Sequence, residues 1–203
     1  MKFSIGNLFW LTLMAAMLVF IGKHFYDKEN NDSIIDIERA TLVPSDHQVV
    51  FGDRVIETIT GKVVSVYDGD SLTLLVDNEQ IKVRLAAVDT PERKRGQPFN
   101  KVARQFLSDS VFGKTVQVHI IGDAGWNRDV GFVVVDGVNV NAELIKAGLG
   151  WHYKEFNHDE TLARYELEAR EARRGLWGGA DPIAPWEFRK LEKQRSKSKD
   201  LKQ

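Results

Sequence analysis

Five segments of strand period, a helix-period segment after the third and two more at the end predict an α+β fold. The expected form is a small five-stranded Greek-key β-barrel of the OB type with about three helices, preceded by an N-terminal hydrophobic helix. The strand signals come first as alternation at Val64 and Val66, then at Leu72, Leu74 and Val76, then at Ile81, Val83 and Leu85. Phe99, Val102, Ala103, Phe106, Leu107 and Val111 then recur at helical spacing. Val116, Val118 and Ile120 return to period two, and residues 132–135 form a short apolar strand ended by Asp136-Gly137. Two helices close the domain, one over about residues 141–147 and a longer one over about 159–174. The longer one carries Leu162, Tyr165, Ala169 and Ala172 on one face, with Gly175 as its stop.

The 203 residues suffice for one modest domain with appendages. A 43% hydrophobic and 28% charged composition describes a folded chain, not a disordered one. The formal net charge is −1, so no global positive field draws in a polyanion, and any grip on one must come from local groups. There are no cysteines, which excludes a thiolate nucleophile, a disulfide frame and a zinc–thiolate site. The five histidines (His24, His47, His119, His152, His158) form no metal-spaced pair.

After Met1-Lys2 the run from Phe3 to Gly22 is uncharged and apolar on every face. Residues 1–24 therefore read as a signal peptide or a membrane anchor. Ala15-Ala16-Met17 is followed by more apolar residues, which favours an uncleaved anchor. The expected location is membrane-anchored facing the periplasm or exterior, or secreted if the segment is removed. Residues 25–57 form a polar linker with a short strand near Val49 to Phe51. The domain spans 58–180, and 181–203 is a basic, solvated C-terminal tail with lipid headgroups, nucleic acid or nothing as its contact.

The chemistry gathers around one hairpin: Asp68-Gly69-Asp70, then Arg84, then Asp89-Thr90-Pro91-Glu92. With Asn78-Glu79 as the turn, Val76 pairs with Ile81, Leu74 with Val83 and Leu72 with Leu85. Extending that register places Asp70 opposite Ala87, on the same face as Asp89. Diagonal neighbours on one face lie roughly 7–8 Å apart, and two carboxylates at that separation can converge on one ion. All nearby donors are oxygens, which favours Ca²⁺ or Mg²⁺ over zinc or copper, with the Thr90 carbonyl as a further ligand. Taken singly, Asp68-Gly69-Asp70 reads equally as a tight turn, and Asp89 to Glu92 as the start of a loop. Strict alternation turns Arg84 away from Asp70 unless a kink intervenes between Leu85 and Asp89; otherwise Arg84 is an exposed strand arginine.

Val66-Tyr-Asp-Gly-Asp-Ser71, Val83-Arg-Leu-Ala-Ala-Val-Asp-Thr-Pro-Glu92 and Asn127-Arg128 before Phe132-Val-Val-Val-Asp-Gly137 resemble the thermonuclease (staphylococcal nuclease) family. So do Ala142-Glu-Leu-Ile-Lys-Ala-Gly-Leu149 and Arg173-Arg-Gly-Leu-Trp177, so the likeness covers about residues 61–177. It implies a Ca²⁺-dependent nuclease that hydrolyses DNA and RNA and leaves 3′-phosphates. It also implies that Asp70, Asp89 and the Thr90 carbonyl hold Ca²⁺, with Asp68 supporting them from behind. Glu92 would orient or deprotonate the attacking water, and Arg84 and Arg128 would clamp the phosphate. A guanidinium fork matches two phosphate oxygens, and more charge sits on them in the transition state than in the substrate. The stretch before Arg128 departs from the family's usual tyrosine and glycine. Asn127 is expected to take the left-handed conformation in glycine's place, and Trp126 to fill the aromatic slot.

Tyr153, in Trp151-His152-Tyr153, is the candidate for stacking on a base; the alternative is that these aromatics close the barrel. Arg93, Lys94 and Arg95 either touch substrate phosphates or keep a loop soluble. Nucleic acid is the expected partner, with the membrane a second one through an uncleaved N-terminus, and the chain is expected to be a monomer. The competing reading is a non-catalytic membrane-associated OB-fold module that binds nucleic acid. A module kept only for binding has no need of the carboxylates.

Overall fold

The computed structural model describes residues 55–94, 96–125, 127–179 and 181–200. The apolar N-terminal run, nearly all of the expected linker and the strand near Val49 lie outside them. No helix among the described residues is long and apolar enough to cross a membrane.

Strand β1 (Glu57–Val66) leads into the hairpin of β2 (Ser71–Val76) and β3 (Glu79–Leu85). The turn is Asp77-Asn78, with φ of 48° and 68°, not Asn78-Glu79. Two successive left-handed residues match the twist of the flanking strands, and Asp and Asn tolerate that conformation. Val76 therefore faces Glu79, Leu74 faces Ile81 and Leu72 faces Val83, a slip of two from the expected pairing. A slip of two leaves each side chain on its expected face, so apolar alternation could not detect it. In β1 the register shifts between Val63 and Ser65. That bulge puts Val63 and Val66 in the core, and Val64 is only partly buried, so the expected Val64–Val66 alternation does not hold.

Strand β4 (Val88–Asp89) follows β3, and helix α1 (Asn100–Val111) buries Ala103, Phe106, Leu107 and Val111 beneath the barrel. Strand β5 (Thr115–Asp123) pairs with β1, and β6 (Asp129–Val135) pairs with β5. β6 also runs parallel to β3, with Arg84 beside Val130 and Leu85 beside Gly131. The order β3-β2-β1-β5-β6, closed by the β3–β6 contact, is a five-stranded barrel of the OB type. Strand β7 (Val138–Asn139) returns through Asp136-Gly137, both at positive φ.

Helix α2 (Val140–Lys146) is capped by the Asn139 side chain, which accepts from Ala142 N. Strand β8 (Trp151–His152) pairs with β4 in a separate two-stranded ladder. Helix α3 (Glu160–Glu171) starts at Asp159, whose carboxylate accepts from Thr161 N and Leu162 N. It ends earlier than expected: Ala172 is its exposed cap, and Arg173 takes the left-handed position at φ 53°. Gly175 serves close packing more than chain reversal, since a Cβ there would meet the Gly148 carbonyl oxygen at 2.5 Å.

The stretch expected to be a solvated tail begins as a fourth helix, α4 (Pro185–Asp200). Its start is tied down because Ala184 joins a buried cluster with Trp151, Ala169, Leu176 and Trp177, and Trp186 packs against that cluster.

Candidate active site

Asp70 ends the loop before β2 and is buried. One carboxylate oxygen accepts from Thr90 N and Thr90 Oγ1, both at 2.8 Å. The other accepts from Ser71 Oγ at 3.3 Å and from Arg84 Nη1 at 3.0 Å. Gly69 permits this junction, since a Cβ there would sit 2.7 Å from Thr90 Oγ1 and from Ala103 Cβ. Asp68-Gly69-Asp70 is thus more than a tight turn: it presses the Asp70 carboxylate against the start of the next loop. The Asp68 carboxylate accepts from Asp70 N at 3.3 Å.

The kink on which the direction of Arg84 depends is present. Ala86-Ala87 is a turn with Ala87 at φ 62°, so the chain leaves β3 and doubles into β4. Asp70 lies opposite Leu85, whose N donates to the Asp70 carbonyl at 2.8 Å, and not opposite Ala87 as expected. The turn is held from beneath by Asn141, which is fully buried. Its amide donates to the Ala86 carbonyl at 2.8 Å and to the Gly131 carbonyl at 3.1 Å, and its carbonyl accepts from Val133 N at 2.9 Å. With the kink in place, Arg84 bridges the two acids, its Nη2 lying 2.6 Å from Asp89 Oδ1. The pairing of Asp89 with Trp151 fixes the Asp89 backbone against β8.

Glu92 stands on the next loop, partly exposed, and Gln97 shapes that loop. The Gln97 side-chain oxygen accepts from Glu92 N at 2.9 Å, and its amide donates to the Ile183 carbonyl at 2.7 Å. The segment leading into α4 is thereby fastened to the loop that carries Glu92. One turn into α4, Arg189 reaches the same acids, with Nη1 2.7 Å from Glu92 Oε1 and Nη2 2.9 Å from Asp89 Oδ2. Sequence reasoning assigned this arginine to a solvated tail and missed it. The available signal was the Trp186-to-Arg189 helical spacing after Pro185.

Arg128 lines the same cavity, of about 860 Å³, as Arg84, Glu92, Asp68 and Arg189. Asn127 has φ 57°, as the sequence suggests, while Trp126 lies outside the described residues. Trp151 and His152 are buried, so for these two the packing alternative holds. Tyr153 lines the cavity with its ring stacked on Trp186, 5.2 Å between centroids and 4° between planes. Arg93 sits over the Tyr67 ring at 4.6 Å, and Arg95 lies outside the described residues.

The electrostatics are those of crowded acids. Burial pushes the Asp68 carboxyl up to about 7, and Asp70 pushes it further in the same direction. Burial also raises Asp89; the bond from Arg189 opposes this, Asp70 adds to it, and Arg84 opposes it. Burial works against the charge on Arg84, but Asp70, Asp89 and Asp68 outweigh it and hold the guanidinium protonated. Mutual repulsion among oxygen-only donors is what a hard divalent cation relieves, so the residues suit one. Among the described residues no three His, Cys, Asp or Glu side chains converge into a ready-made metal cluster. Arg84 and Arg189 draw both Asp89 oxygens to themselves instead.

Residues 82–179 match the family model described as staphylococcal nuclease homologue. An uncharacterized endonuclease of Escherichia coli O157:H7 is 37% identical over 132 residues, covering 64% of this chain and 85% of that protein. A second uncharacterized endonuclease, from Haemophilus influenzae, is 37% identical over 138 residues, covering 68% of this chain and 76% of its own length. A protein of Shigella flexneri named micrococcal nuclease is 35% identical over 144 residues, covering 66% and 82% respectively.

Proposed function

Because this chain belongs to the staphylococcal nuclease homologue family, we propose that it is a Ca²⁺-dependent nuclease. It hydrolyses phosphodiester bonds of DNA or RNA with low sequence specificity and leaves 3′-phosphates. The observation that carries this reading is the Arg84 bridge between two buried carboxylates, in the wall of a cavity that also takes Glu92 and Arg128.

Asp70, Asp89 and the Thr90 carbonyl are the proposed Ca²⁺ ligands, and the bound ion supplies positive charge beside the scissile phosphate. Asp68 supports Asp70 from behind. Glu92 takes the proton of the attacking water as its oxygen reaches phosphorus. Arg84 and Arg128 hold the non-bridging oxygens and strengthen their hold as charge grows there. Tyr153, stacked on Trp186 and packed edge-to-face with Phe156, stands in the cavity wall as the aromatic surface beside which a base lies. Nothing in this set reads a base edge by hydrogen bonding, which suits low sequence specificity.

The full chain should degrade single-stranded DNA with Ca²⁺ and stop with EDTA. Glu92→Gln should keep its fold by circular dichroism and lose roughly 10²- to 10⁴-fold in rate, the range a positioned general base contributes. Tight oligonucleotide binding without any cation-dependent cleavage would replace this reading by a purely binding module.

A further inference from the structure

We propose that Arg189 is a phosphate-binding residue of this site, delivered by α4. In the free protein its guanidinium rests on Asp89 and Glu92, and it passes to a phosphate of the bound nucleic-acid strand once a divalent cation takes over Asp89. The inference rests on the nuclease reading above and adds a contact that neither the motif around Arg84 nor that around Arg128 contains.

Placement comes first. Pro185 begins α4, the Gln97 amide holds the Ile183 carbonyl at 2.7 Å, and Trp186 stacks flat on Tyr153. Arg189 stands three residues after Trp186, on the same face of the helix. Its delivery into the site therefore follows from packing at the helix start, not from the reach of a loose tail.

The two end nitrogens of Arg189 hold both Asp89 oxygens, Nη2 at 2.9 Å and Nη1 at 3.2 Å, and Nη1 also reaches Glu92 at 2.7 Å. A phosphate offers two oxygens to the same fork, at the spacing it is built for. Asp89 is almost wholly buried, and its charge needs a counter-ion in every state of the protein. A cation bound at Asp89 competes for the same oxygens and repels a guanidinium. Arg84, at 22% side-chain exposure, is wedged between Asp70 and Asp89, whereas Arg189 is 40% exposed and open to solvent on one side. Its helix keeps it in the cavity wall as it lets go.

The cavity also leads onward along α4. A second hollow of about 350 Å³ shares Glu92, Lys94 and Arg189 with the first and continues along α4 past Lys193 and Ser196. Arg189 and Lys193 lie one helical turn apart on that wall, facing Lys94 on the loop. A strand leaving the scissile position along this hollow passes Arg189 first and then Lys193, beside Glu192, whose carboxylate is paired with Arg195 at 2.9 Å.

Calorimetry on the full chain tests this with two probes, Ca²⁺ alone and thymidine 3′,5′-bisphosphate, whose second phosphate lies beyond the scissile position, at saturating Ca²⁺. Arg189→Ala should bind Ca²⁺ more tightly, because its competitor is gone. It should bind the nucleotide roughly tenfold more weakly, the worth of a charge-assisted contact. Unchanged nucleotide affinity in Arg189→Ala would overturn the proposal and leave Arg189 a latch on the acids. Should that variant not fold, Arg189→Lys decides. It keeps charge and length but not the fork, so a loss on the order of threefold supports the proposal and wild-type affinity overturns it. Failure of the wild type to cleave DNA or bind the nucleotide with Ca²⁺ sinks the nuclease reading itself. A wild type that does both, matched by Arg189→Ala, sinks only this inference.

Discussion

At the scale of single residues, Asp68 is the group whose charge the fold disfavours most clearly. Its carboxyl stands near 7 where an exposed aspartate ionises at 3.8, chiefly through burial and then through Asp70. A raised folded-state value means that the native protein keeps this proton longer than the unfolded chain. The stabilisation is complete below about pH 4 and is lost as pH rises through about 7, amounting to roughly 4 kcal/mol at most. In EDTA, Asp68→Asn should therefore flatten the fall in stability between pH 4 and pH 8, and should exceed the wild type at pH 8. Urea melts across that range measure it; parallel curves for the two proteins would show that Asp68 ionises alike in the folded and unfolded chain. The acids, Arg84 and Glu92 were legible in the sequence because their types and spacing are local. Arg189 was not, since a lysine- and arginine-rich stretch looks the same whether one member points into a site or all face water. Asn141 was missed for a related reason: a polar residue in the first turn of a helix looks like a surface residue until the three backbone groups around it are seen.

Among the elements, α4 separates expectation from structure most sharply. Its sequence is poor in apolar residues, and its packing on the buried cluster is confined to its start, through Ala184 and Trp186. Trp186→Ala removes the stack on Tyr153 and should cost about 1–3 kcal/mol, less than a fully buried Trp because the ring is partly exposed. Amide exchange in α4 should accelerate while the barrel strands stay protected, and cleavage should fall along with it, because Arg189 loses its support. Unchanged exchange in α4 would mean that the helix is held by its ion pairs alone. Elsewhere the elements followed from periodicity: α1 buries the expected Phe106, Leu107 and Val111, and β5 buries Val116, Val118 and Ile120. The β2–β3 register did not, since sheet patterning repeats every two residues and a slip by two satisfies it equally. The turn residues Asp77-Asn78, with both φ values positive, decided between the registers.

For the molecule as a whole, a barrel closed by β3 against β6 brings the Arg84 strand beside the segment that follows Arg128. The kinked chain after β3 and the ladder of β4 with β8 then fold Asp89 back over Asp70. Acids collected this way are strained by their own repulsion and neutralised for now by guanidinium groups. A bound divalent cation should stabilise the folded state by mass action, by about 2.7 kcal/mol at a hundredfold excess over its dissociation constant. For a domain of this size that is a rise of roughly 5–10 °C in Tm. Differential scanning with Ca²⁺ against EDTA reads it, and Asp89→Asn should abolish the rise. A Ca²⁺-independent Tm in the wild type would count against Asp70 and Asp89 as ligands.

Local order and chemical type were determined by the sequence alone: which segments alternate, which are helical, and which acids and arginines crowd one hairpin. Those properties depend on neighbours a few residues apart, and a period or a spacing records them. Only the folded chain decided that Arg84 turns inward, that Asn141 locks the kink that turns it, and that Arg189 joins the site from about a hundred residues away. Such contacts depend on barrel closure and on one anchored helix start, and no local pattern encodes the distance between segments that meet only in three dimensions.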